Sequence, residues 1–150
     1  MALRKPIVLN AGQFEELQSG DTLDASTSDK EVVSLTNNNG STVSKGDLGY
    51  IDAADGFDLA DASAAGTADA ICVVSDATIA TATAGNVQLD GILTGLSLTT
   101  AGAIQYLDTA TPGGIVESPP TGAGNFIKQI GTAFSTTDLM IQFERRIKLG

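Results

Sequence analysis

The apolar residues of this chain come in short runs, each closed by Gly, Pro, Asp, Asn or Thr. The densest stretch, 87–143, reads V-Q-L-D-G-I-L-T-G-L, then A-G-A-I-Q-Y-L-D-T-A-T-P-G-G-I-V, then N-F-I-K-Q-I-G-T-A-F, then T-T-D-L-M-I-Q-F. Four strand-sized runs follow one another there with no helix-length periodic segment between them, which predicts antiparallel β structure. In the last run, alternation puts Leu139, Ile141 and Phe143 on one face.

The same punctuation extends upstream. Strands are predicted over 31–35, 48–51, 57–60, 71–74, 78–82 and 87–93, and again over 104–107 and 115–116, with Val, Ile and Thr supplying β-branching. Asn37-Asn38-Asn39-Gly40 is a turn, because Asn and Gly tolerate positive φ, and Asp55-Gly56 between short apolar runs signals a hairpin. The Ala-rich 60–70 stretch predicts a helical turn or a tightly packed loop. Gly131 is a candidate bulge position. Two segments, Gly-Asp-Leu-Gly-Tyr-Ile-Asp at 46–52 and Gly-Ala-Ile-Gln-Tyr-Leu-Asp at 102–108, share the spacing of Gly, apolar, Tyr and Asp. They are either structurally equivalent hairpins or a chance similarity between short strands.

Residues 1–30 differ from the rest. Ile7-Val8-Leu9 is a short extended run behind a basic pair, and Gly12 and Gly20 bracket the 13–18 run too closely for a stable helix. The expected organisation is an extended N-terminal arm over 1–30, a compact antiparallel β-sandwich or barrel over 31–144 and a basic C-terminal tail over 145–150.

Composition narrows the function. With 42% hydrophobic but only 5% aromatic residues and no Trp, the core is built from Val, Ile, Leu and Ala. Burial between subunits would reinforce so thin a core. A net charge of −10 disfavours nucleic acid and anionic membrane, whose phosphates need clustered Lys and Arg. The basic residues instead gather at the two ends, and none lies between Lys45 and Lys128. These ends are either merely solvated or dock on an acidic partner surface. No stretch approaches the roughly 20 apolar residues of a membrane-spanning helix, and the start lacks a signal-peptide core, so synthesis in a cytoplasm is expected. Cys72, the single cysteine, sits in A-I-C-V-V and reads as a small buried hydrophobe.

Candidate chemistry is sparse. Histidine is absent, which removes Ser-His-Asp and Cys-His nucleophiles, the usual zinc motifs and the commonest general base. No enzyme activity and no cofactor are expected. Asp47, Asp52, Asp55, Asp58 and Asp61 form the densest carboxylate cluster. They lack the EF-hand order of a calcium loop, and hairpin turns use the same residues, so no metal site is assigned. The 121–125 loop is Gly-rich but lacks the Lys-Ser/Thr of a phosphate loop.

Together, Lys45-Gly46-Asp47-Leu48, the Ala-rich stretch, Gly91-Ile92-Leu93 and Ala101-Gly102-Ala103-Ile104-Gln105-Tyr106-Leu107 suggest a family, as do Pro112-Gly113-Gly114 and Ile130-Gly131-Thr132-Ala133-Phe134 with the closing 139–143 strand. They resemble head decoration, or cement, proteins of tailed bacteriophages over about 46–143. The opening, from Lys5-Pro6-Ile7-Val8-Leu9 to Gly20-Asp21-Thr22-Leu23, also looks like segments of phage fibre and adhesin proteins. The resemblance implies a structural virion protein that binds the outside of an assembled capsid, often as a homotrimer. Its partner would be the major capsid protein, whose subunits it bridges. The alternative is a phage head- or tail-fibre base or adhesin module binding a host receptor or glycan. A non-viral carbohydrate-binding β-sandwich is a further option, discouraged by the absence of Trp and scarcity of Tyr. The residues expected to contact partners are Leu3, Arg4, Lys5, Ile7 and Leu9 in the arm and Arg145, Arg146 and Lys148 in the tail.

Overall fold

The computed structural model describes residues 30–150 together with the strand residues 7–10 and 13–16. Within residues 1–30, β1 (Ile7–Asn10) pairs antiparallel with β2 (Gln13–Glu16). The rest of the expected arm, including Leu3, Arg4 and Lys5, lies outside the described residues.

The protein is all-β, as the short punctuated runs predict. Its first half is a closed five-stranded barrel of β3 (Val32–Asn37), β5 (Leu48–Ala53), β6 (Gly56–Leu59), β7 (Cys72–Val74) and β9 (Ala84–Gln88), ordered β3-β6-β5-β7-β9 and closed by β9 against β3. Two short strands, β4 (Val43–Ser44) and β8 (Thr78–Ile79), pair beside it. The second half is an open five-stranded sheet of β10 (Gly91–Thr94), β11 (Ile104–Leu107), β12 (Ile115–Val116), β14 (Gln129–Ala133) and β15 (Asp138–Ile141), ordered β10-β15-β14-β11-β12. Finally β13 (Phe126–Ile127) pairs with β16 (Ile147–Lys148).

Several details refine or depart from the sequence expectation. The predicted 87–93 strand is two strands, because the chain turns at Asp90, whose carbonyl accepts the Gln88 amide. The 60–70 stretch is a packed loop that contains a single turn, closed by Ala68 N–H donating to Ala64 O at 3.0 Å, with Ala60, Ala62, Ala68 and Ala70 wholly buried. The barrel is not purely antiparallel: β3 and β6 run parallel, with Thr36 opposite Gly56 and Asn37 opposite Phe57. The terminal basic segment is also tied to the body, since Phe126 lies opposite Lys148 and Leu149 N–H donates to Asn125 O at 2.8 Å.

The two halves repeat one topology. In chain order, β3, β5, β6, β7 and β9 correspond to β10, β11, β12, β14 and β15, and both sets are stacked in the same order. The registers also match. Leu48 faces Val73 as Ile104 faces Thr132, and Gly49 faces Cys72 as Gln105 faces Gly131. Val73 faces Gln88 as Thr132 faces Met140, and Tyr50 faces Asp58 as Tyr106 faces Val116.

Turn bonds correspond as well. Gly46 N–H donates to Val74 O, Val74 N–H to Asp47 O and Asp47 N–H to Ser44 O. Gly102 N–H donates to Ala133 O, Ala133 N–H to Ala103 O and Ala103 N–H to Thr100 O. Gly46 and Gly102 both hold positive φ, 96° and 81°, which a side chain at either turn would resist. The spacing shared by 46–52 and 102–108 therefore marks structurally equivalent hairpins.

Two clusters make the core. Val43, Phe57, Cys72, Val74, Ile79 and Val87 fill the closed barrel. The other joins the halves: Leu48, Ala60, Ala62, Ala70 and Val73 from the first unit pack on Leu93, Leu107, Ile130, Leu139 and Ile141 of the second. Backbone bonds stitch the same seam, with Leu48 N–H to Gly113 O at 2.9 Å, Gly113 N–H to Ala60 O at 2.7 Å and Ala62 N–H to Asp108 O at 3.0 Å. One face of the barrel is thus the plug of the second sheet.

Candidate binding surfaces

Strand register places Ile92, Met140, Thr132 and Ile104 directly opposite one another across β10, β15, β14 and β11. Side chains alternate along each strand, so these four share the outer face while Leu93, Leu139 and Ala133 point inward. Met140 is 40% exposed and Ile104 43%, and Phe134, two residues beyond Thr132, is 67% exposed. None of the four carries a formal charge. The equivalent row in the first unit is Val32, Gln88, Val73 and Leu48. There Leu48 and Val73 are wholly buried and Gln88 nearly so, with Leu48 and Val73 packed on the second unit, while Val32 at the end of the row is 42% exposed. The second unit's row has no such cover among the described residues.

A cleft of about 710 Å³ opens between the Lys45–Asp47 turn, the segment 95–99 and the edge of β12. Its position follows from the duplication. The parallel β3–β6 pairing that closes the first barrel has as its counterparts Leu96 opposite Gly114 and Ser97 opposite Ile115, and all four line the cleft. In the second unit that pairing is not made. Leu96 and Leu98 N–H groups turn instead to Thr137 O and Thr136 O, at 2.9 and 2.8 Å.

On the other wall, Asp108 N–H donates to Gly114 O and Tyr106 lies opposite Val116, so the Gly114 carbonyl and the backbone groups of Val116 point at β11, while Gly114 N–H donates to Thr111 O. Ladder alternation leaves those of Ile115 and Glu117 facing the cleft. Among the described residues the main-chain N–H groups of Ser97, Thr99 and Glu117 have no hydrogen-bond partner.

The cleft is mixed in charge. The Lys45 ammonium donates to Thr94 O at 3.2 Å, and Glu117 Oε1 accepts Thr100 N–H at 2.6 Å. Asp47 Oδ2 accepts Ser44 N–H at 2.8 Å. Burial raises the Asp47 pKa, and that hydrogen bond only partly opposes the rise.

The basic residues near the C-terminus are partly engaged within the chain. Arg146 Nη1 pairs with Asp69 Oδ2 at 2.8 Å and also bonds Ala65 O, while its guanidinium lies 5.5 Å from the Phe126 ring centre. Arg145 and Lys148 are exposed. Beside them Lys128 is buried and donates to Glu144 O at 2.6 Å, with its ammonium 5.7 Å from the Phe143 ring centre. Burial lowers its pKa. Of the arm residues, Ile7 and Leu9 lie in β1 opposite Glu16 and Phe14.

The Asp-rich segment is spent on local bonds. Asp52 accepts the Asn38 amide, Asp58 accepts Leu59 N–H and Asp61 accepts Ser63 N–H. Among the described residues no group of His, Cys, Asp and Glu gathers as a metal site.

The exposed row and the cleft were both missed in the sequence. Met140 carried a signal, since it is apolar at an outward position of an alternating strand. The cleft followed only from carrying the shared 46–52 and 102–108 spacing through to complete units. The chain matches no protein-family model, and no curated protein or solved structure is significantly similar to it.

Proposed function

We propose that this is a structural protein of a tailed-phage virion that binds the outer surface of the assembled capsid and bridges its subunits. The observation that carries the reading is the uncharged row Ile92–Met140–Thr132–Ile104, flanked by Phe134. In the first unit three of the four counterparts, Gln88, Val73 and Leu48, are buried and only Val32 is exposed, and exposed apolar faces of this kind mark protein contacts. An acidic surface and the absence of histidine agree with a scaffold that makes or breaks no bond. The basic groups of Arg145 and Lys148, and the arm residues Leu3, Arg4, Lys5, Ile7 and Leu9, would add contacts to the shell and to neighbouring copies around a trimer.

The test is occupancy of purified particles. Wild-type protein should be present in hundreds of copies per particle, where a fibre base would give tens or fewer. Met140→Glu and Ile104→Glu should each reduce occupancy at least tenfold while the protein stays folded, and deletion of residues 2–12 should weaken it further. Absence of the protein from intact particles, or unchanged binding of the row variants, would remove the reading.

A further inference from the structure

We infer that the open seam of the second unit is a strand-accepting site, filled by residues 2–6 of a neighbouring copy of this chain. The first unit shows what a completed seam looks like. There β3 and β6 run side by side, and Thr36 N–H and Asn38 N–H donate across to Asp55 O and Phe57 O. In the second unit the corresponding edges, 96–98 and 114–117, stand apart around the 710 Å³ cleft. Backbone groups face that gap from both walls. An extended segment laid between them would satisfy these groups and complete the second barrel, as in recognition by strand addition.

The occupant follows from chemistry and reach. The cleft holds the Asp47 and Glu117 carboxylates, and its one cation, Lys45, is already directed at Thr94 O. Residues 2–6 read Ala-Leu-Arg-Lys-Pro, and the first acidic residue of the chain is Glu15. This is one of two basic segments of a strongly acidic protein, and the other, 145–148, is held to the body through β16 and the Arg146–Asp69 pair, so seating residues 2–6 in another copy offsets the repulsion between two chains of charge −10.

Leu3 suits the apolar lining of Leu96, Leu98 and Ile115, and Arg4 and Lys5 suit the carboxylates. Five extended residues span roughly 16 Å, against about 13 Å for the 115–118 edge. Pro6, which has no N–H to donate, falls where the inserted strand ends and β1 begins. The intervening 17–29 stretch can reach up to about 45 Å, enough to cross between adjacent copies. The choice of a neighbouring copy rests on the bridging role proposed above, whereas the seam itself does not.

Disulfide trapping with the full-length protein tests it. Full-length single variants Leu3→Cys and Ser97→Cys are mixed and mildly oxidised. The native Cys72, buried in the barrel, serves as the unreactive internal control. A heterodimer that forms from the mixture and is diminished by excess synthetic peptide of residues 2–10 supports the proposal. No bond in the mixture overturns it. A bond that forms only within single chains of the Leu3→Cys, Ser97→Cys double variant overturns the assignment to a neighbour.

Should the variants misfold, hydrogen exchange on the unaltered protein decides. The Ser97, Ile115 and Glu117 amides should slow about tenfold between dilute and concentrated solution, and concentration-independent rates would overturn the proposal. Both experiments use isolated protein without capsids, so their failure leaves the capsid reading standing, and loss of capsid binding leaves the seam standing.

Discussion

Leu48 and Ile104 occupy the same position in the two units, opposite Val73 and Thr132 respectively, yet Leu48 is wholly buried while Ile104 is 43% exposed. One face is used inside the chain and its copy is turned outward. The difference should be measurable. Leu48→Ala removes a side chain from the cluster that joins the units and is expected to cost about 2–5 kcal/mol. Ile104→Ala should stay within about 0.5–1 kcal/mol in the isolated protein. Denaturant unfolding of both variants checks the pair, and equal losses would mean that Ile104 is covered in solution.

Gly131 gives a second expectation. A Cβ at this position would lie 2.1 Å from the carbonyl oxygen of Met140 on the neighbouring strand, an obstacle of backbone that cannot rotate away. Gly131→Ala should therefore destabilise the second unit by roughly 2 kcal/mol or more, within the range of core overpacking. Gly66→Ala, with nothing within 4 Å of its added methyl, should be close to neutral. Thermal unfolding of the two variants makes the comparison.

Cys72 is buried in the barrel, and burial pushes its thiol up to about 12, from an ordinary value of 9.0. The native protein should resist thiol reagents at pH 8 and react once unfolded. The linkage has a definite sign. Below pH 9 the thiol is protonated in both states and costs nothing. Between pH 9 and about 12 the unfolded chain releases the proton and the folded one does not, so stability falls with rising pH. The slope contributed is about 1.4 kcal/mol per pH unit, and Cys72→Ala should abolish that share of the alkaline loss.

The Arg146–Asp69 pair is partly exposed, with side chains 33% and 55% accessible, so its contribution to global stability should be below about 1 kcal/mol. Its local effect should be larger. Asp69→Asn is expected to accelerate exchange of the Leu149 amide, which bonds Asn125 O, without shifting the midpoint of global unfolding appreciably. High salt should have the same effect on the wild type.

Much of the fold was legible because strands here are short and bounded by residues with a physical reason to turn. Asp55-Gly56 closed a hairpin as expected, with Asp55 itself at φ 57°. Leu139 and Ile141 were placed on the buried face by alternation alone. The parallel closure of β3 on β6 was not legible, because it joins strands separated by two others and no periodicity encodes it. The break at Asp90 had a signal, since Asp90-Gly91 is the same dipeptide as Asp55-Gly56, but the runs on either side of it read as one continuous strand. Of the partner-contact residues picked from charge, Arg146 is drawn to Asp69 by a contact distant in sequence, which composition cannot reveal. The outward row needed register, and register comes only with the fold.

The plugging of the second sheet by the barrel imposes an order on assembly. The first unit closes on itself through residues that leave the ribosome early, and its interior depends on nothing downstream. The second sheet finds its inner layer only on the surface that Leu48, Ala60 and Val73 already present. During synthesis the earlier copy of the duplicated unit therefore acts as the mould on which the later one sets. A chain relieved of its first half would be left with an interior facing water.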